Sequence, residues 1–115
     1  MRPLERRAAA FVFRTAGMVY SRRMAILNAV VHGGVQGVGF RDFVRRRALE
    51  AGISGWVRNR PDGSVELNAV GNRPALERLL EQVTHGPGLA EVHRVEARWA
   101  EGGGEADESG FQIRA

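Results

Sequence analysis

The sequence predicts an α+β sandwich, an antiparallel sheet with two helices on one of its faces. Three observations lead there. The chain has 115 residues, enough for one small domain. Its apolar spacing switches between strand and helix periods in the order β-α-β-β-α-β, with a short strand to close. Breakers at Gly52, Pro61-Asp62-Gly63 and Gly86-Pro87-Gly88 separate those runs. Two split βαβ units in that order put both helices on the same side of the sheet.

The elements follow in turn. Ala25–Val31 reads as a mostly buried strand and runs into a glycine-rich loop, His32–Gly39. Phe40, Val44, Ala48 and Ala51 then recur at helical spacing, and Gly52 supplies the stop. Arg45, Arg46 and Arg47 are the solvated face of that helix. Gly55–Asn59 is the second strand, and Arg60-Pro61-Asp62-Gly63 is a turn. Proline presets φ near −65° there and glycine closes the turn. Ser64–Val70 alternates polar and apolar residues, as the partner strand of a hairpin does.

Asn72 can cap a second helix, with Pro74 in its first turn. Leu76, Leu79, Leu80 and Val83 make one apolar stripe along it. Val92, Val95, Ala97 and Trp99 mark a fourth strand. Glu101–Ser109 reads as a polar, acidic, mobile loop, and Phe111-Gln112-Ile113 as a short edge strand. This arrangement is a ferredoxin-like sandwich.

Charge separates an N-terminal extension from the domain. Residues 1–23 hold six arginines against one acid, and residues 24–115 hold eleven against twelve. The formal net charge of +4 therefore belongs to the first segment. An included upstream start, a targeting segment and a basic tail would each look like this. Met24 opens a strand at once, so residues 1–23 are expected to be a basic extension, disordered or a mis-assigned start, and 24–115 the domain. All 17 basic residues are arginine, which codon usage explains without any arginine-specific recognition.

Several function classes are excluded or disfavoured. The chain has no cysteine, hence no disulfide scaffold, cysteine nucleophile or cysteine-ligated metal. No run of about 18 apolar residues is present to span a membrane. His32, His85 and His93 lack metal-ligand spacing, and Ser21, Ser54, Ser64 and Ser109 have no nucleophile context. The glycine loop does not match the Walker sequence. The expectation is no metal and no cofactor.

The loop is informative nonetheless. Glycines at 33, 34, 37 and 39 allow successive backbone N–H groups to turn into an anion-holding nest, at the positive end of the following helix. Arg41 stands at that helix's mouth, with a planar fork of donors suited to a tetrahedral oxyanion. Read alone, the loop could equally be a tight turn and Arg41 a surface charge. Asn59 ends the second strand, and by itself it is ordinary turn chemistry ahead of Arg-Pro-Asp-Gly.

Taken together, Gly33-Gly34-Val35-Gln36-Gly37-Val38-Gly39-Phe40-Arg41 resembles the first signature of the acylphosphatase family. Gly55-Trp56-Val57-Arg58-Asn59, followed by Asp62-Gly63-Ser64-Val65-Glu66, is similar to its second. The resemblance covers Ala25–Arg114. Departures fall at Gly34, at Gly88 and at the chain's end, Ile113-Arg114-Ala115, and none touches Arg41 or Asn59.

The resemblance implies the same ferredoxin-like fold and metal-independent hydrolysis of acyl phosphates to carboxylate and phosphate. It assigns phosphate binding to Arg41 and to the amides of Gln36, Gly37, Val38, Gly39 and Phe40. It gives Asn59 the orientation of the attacking water. The partners expected are a small-molecule acyl phosphate and inorganic phosphate, without membrane or nucleic acid, for a monomer in the cytoplasm. The competing reading is a non-catalytic phosphate- or nucleic-acid-binding module on this fold. Against it, the strands lack the aromatic pattern of RNA readers and the domain is slightly acidic.

Overall fold

A computed structural model of the chain describes residues 24–102 and 110–115. The N-terminal extension and most of the expected acidic loop lie outside the described residues. The elements are β1 (Met24–Gly34), α1 (Phe40–Glu50), β2 (Ser54–Asn59), β3 (Val65–Asn72), α2 (Arg73–His85), β4 (Glu91–Glu101) and β5 (Phe111–Arg114).

The strands lie in the order β4-β1-β3-β2-β5. β1 pairs antiparallel with β3 and β4, and β2 with β3. These four strands are the expected antiparallel sheet. β5 adds to β2 in parallel, so the five-stranded sheet is mixed. The direction follows from where the chain leaves and returns. Gly102 N–H bonds the Met24 carbonyl at the end of β4, and Gly55 N–H bonds the Gly110 carbonyl just before β5. Both points lie at the end of the sheet where β2 begins.

Strand alternation builds the core. Ala25, Leu27, Ala29 and Val31 of β1 are buried, and register sets them opposite Gly71, Ala69, Leu67 and Val65 of β3. The helices cover this face with Phe40, Phe43, Val44 and Ala48 from α1 and Ala75, Leu76, Leu79 and Val83 from α2. Each such side chain larger than alanine contributes about 1.5–3 kcal/mol on burial.

Three local readings shift. Ala51 is the exposed C-cap of α1, and Phe43 takes the inward position instead, one turn on from Phe40. Asn72 occupies the N-cap of α2, but its side chain makes no capping bond, and the first turn relies on Pro74. β1 runs on past Val31 to Gly34, because β4 is long enough to pair with it through a register shift between His32 and Gly33. Gly33 packs so closely on β4 that a Cβ there would overlap the Glu91 carbonyl oxygen. The loop proper is therefore residues 35–39.

Candidate active site

The turn from β1 into α1 is set by two left-handed glycines, Gly37 (φ 77°) and Gly39 (φ 78°). A side chain at either position would be strained. Gly39 is the N-cap of α1 and has no side chain to cap it. The first helical bond runs from Phe43 N–H to the Gly39 carbonyl at 3.0 Å. The N–H groups of Phe40, Arg41 and Asp42 are thus the orphan donors of a helix start, with the positive end of the helix dipole behind them.

Arg41 is the second residue of α1. Its Nη1 donates to the Arg114 carbonyl of β5 at 3.2 Å. Its neighbour Asp42 bonds Arg46 at 2.9 Å instead, so no carboxylate among the described residues neutralises Arg41.

Asn59 reaches the same place from the sheet. It pairs with Val65 and is two residues on from buried Val57, which puts its side chain on the helix-covered face. Its Oδ1 is fully buried with no hydrogen-bond partner. A buried acceptor left unmade costs about 1–3 kcal/mol, so such an atom implies a donor that belongs there.

Arg41, Asn59, Gly37, Gly39 and Phe40 line one cleft of about 180 Å³ together with Val35 and Asp42, with Ile113 of β5 at its side. The sequence alone left open whether Asn59 lies near Arg41, and the fold brings them together. Larger clefts lie beside β4 and on the open sheet face, at about 330 and 530 Å³, and neither contains Arg41 or Asn59.

Of the remaining loop residues Val35 also lines the cleft, whereas the Gln36 and Val38 side chains have other partners. The Val38 side chain packs against the core. The Gln36 side chain turns to the β2–β3 hairpin, where Nε2 donates to the Arg60 carbonyl at 2.8 Å and the Ser64 carbonyl at 2.9 Å. Any part these two play at the cleft is through their backbone. The hairpin is itself braced. Arg60 N–H bonds the Ser64 carbonyl, and the Asp62 carboxylate accepts from both the hydroxyl and the N–H of buried Ser64. Those two bonds hold the Asp62 carboxyl below its usual range. Sequence patterns gave no signal for the Gln36 bridge, for the Arg114 carbonyl or for Ile113, because each depends on contacts distant in sequence.

Two helices over a 4-1-3-2 sheet, with an anion-ready loop between the first strand and helix, define a small ferredoxin-like domain suited to handling an oxyanion. Comparison with known proteins makes this specific. The chain belongs to the acylphosphatase family, whose model matches residues 27–113. An acylphosphatase of Thermus thermophilus is 48% identical over 90 residues, covering 78% of this chain and 99% of that protein. One from Mycolicibacterium smegmatis is 50% identical over 93 residues, covering 81% and 93%. The solved structure of an acylphosphatase from Coxiella burnetii superposes with a TM-score of 0.72 at 39% identity, covering 83% of this chain and 97% of that one. The chain is accordingly an enzyme that hydrolyses acyl phosphates to a carboxylate and phosphate, and a purely binding role is not favoured.

Proposed function

We propose that Arg41 and the loop amides of Gln36 through Phe40 hold the phosphoryl group, and that Asn59 orients the water that attacks it. The observation that carries this reading is the buried, unpartnered Asn59 Oδ1 in the same cleft as an arginine that no carboxylate among the described residues neutralises.

The chemistry needs little more. The water oxygen bonds to phosphorus, the bond from phosphorus to the bridging oxygen breaks, and the carboxylate departs with the electron pair. A carboxylate needs no proton to leave, so a general acid is dispensable. The rest is neutralising the phosphoryl oxygens and placing one water in line. The guanidinium and the helix-start amides do the first. Asn59 Oδ1 does the second by accepting a hydrogen bond from the water. An amide is no base, so the water's proton passes to a phosphoryl oxygen. No step calls for a metal, and turnover is expected to survive EDTA.

The same reading makes residues 24–115 the catalytic unit and gives residues 1–23 no part in the reaction. The expected state is a monomer, because the described residues of one chain supply the groups assigned at the cleft, and the expected compartment is the cytoplasm. Size-exclusion chromatography and cell fractionation test those two points.

Substitution separates the roles. Removing one preorganised oxyanion donor costs about 10²–10³ in rate, and Arg41→Ala is expected to lose at least that, together with inhibition by inorganic phosphate. Asn59→Ala is expected to lose turnover while phosphate still inhibits competitively at near wild-type concentration. A parallel loss of phosphate affinity in Asn59→Ala would make that residue structural, and an active Arg41→Ala would refute the assignment.

A further inference from the structure

Ile113 is out of keeping with its position. Register pairs it with Val57, which is wholly buried, so its side chain faces the helix side of the sheet. Yet Ile113 is 41% exposed, because β5 is an edge strand. Among the described residues the exposed large apolar side chains are Leu49, Leu89 and Ile113, and of these Ile113 lines the cleft of Arg41 and Asn59. The bond from Arg41 to the Arg114 carbonyl fixes this end of β5 beside the guanidinium.

The cleft, at about 180 Å³, falls short of the roughly 300–1,000 Å³ that encloses a whole small ligand. A phosphoryl group fits, and the acyl group must extend past the rim. Its direction follows from in-line attack. With the water held on the Asn59 side of the cleft, as assigned above, in-line displacement points the leaving oxygen away from Asn59. Of the residues lining the cleft, Gly37, Gly39, Asp42 and Ile113 are exposed, and Ile113 is the large apolar side chain among them.

We propose that Ile113 is a specificity-determining residue that packs against the acyl group and selects acyl phosphates with apolar, bulky acyl groups over short ones. The proposal rests on the assignment of Arg41 and Asn59 above. Contact with an aromatic or branched acyl group removes apolar surface from water on both partners, whereas an acetyl group is too short to reach it.

The test uses the full chain and compares kcat/KM for benzoyl phosphate and acetyl phosphate in wild type, Ile113→Ala, Ile113→Asn and Ile113→Leu. Losing an apolar contact of a few carbons lowers selectivity by about tenfold. The benzoyl-to-acetyl ratio is therefore expected to fall about tenfold in Ile113→Ala and further in Ile113→Asn. Acetyl phosphate turnover and phosphate inhibition should stay within about twofold, and Ile113→Leu should keep the ratio. An unchanged ratio would overturn the proposal, whether both activities persist or fall together, since general damage to the fold lowers both alike. Failure of the underlying assignment looks different: Arg41→Ala would hydrolyse acetyl phosphate as well as wild type, and the proposal would fall with it.

Discussion

Two side chains of opposite character meet in the cleft, and the sequence announced each only in part. Arg41 is legible because it opens a helix directly after a glycine loop, where a donor fork has an obvious use. Asn59 is ambiguous in isolation, since asparagine ahead of a Pro-Asp-Gly turn needs no further reason. The structure adds register, which turns its amide toward the helices, and burial, which leaves Oδ1 without a partner. Gln36 is the reverse case. Its place in the loop motif concerns its backbone amide, and no sequence pattern signalled that its side chain ties the loop to the hairpin that follows Asn59. Replacing Gln36 with leucine keeps similar bulk and removes both donors, leaving the Arg60 and Ser64 carbonyls unmet by that side chain. We expect a loss of about 1–3 kcal/mol in urea unfolding, together with a lower kcat. Stability and kcat both equal to wild type would show that the bridge positions nothing.

At the scale of elements, alternation and helical stripes located the strands and helices of the described residues, because burial on one face dictates most of them. The boundaries that moved are those a partner strand decides: β1 reaches Gly34 only because β4 is long enough to pair there. The parallel course of β5 was likewise invisible, depending on which end of the sheet the chain returns to. The open face shows how strands are joined by charge. Glu66 on β3 accepts from Asn28 of β1 at 3.1 Å and from Arg58 of β2 at 2.9 and 3.1 Å. Partial burial raises the Glu66 pKa, but those hydrogen bonds and the nearby arginines outweigh it and hold the carboxyl below its ordinary 4.5. A carboxyl with a lowered folded pKa adds stability that is fully present above its ordinary value and is lost as pH falls through the folded one. The urea midpoint of wild type is therefore expected to drop below about pH 4.5, and less steeply in Glu66→Gln. Equal slopes would show that the three-strand cluster contributes nothing.

For the molecule as a whole, the two βαβ halves converge on one end of the sheet. β1 delivers the glycine loop there, β2 delivers Asn59, and β5 brings Ile113 and the Arg114 carbonyl beside Arg41. A small domain can therefore be a hydrolase without a histidine or paired carboxylates at its centre, given a substrate whose leaving group needs no proton. The central claim is that the cleft directs water to phosphorus. It is tested most directly by hydrolysing benzoyl phosphate with the full chain in ¹⁸O-water containing EDTA, then locating the label by mass spectrometry. The account predicts turnover with ¹⁸O in the inorganic phosphate and none in the benzoate. Label in the benzoate would mean attack at the carbonyl carbon, and would contradict the roles given to Arg41 and Asn59.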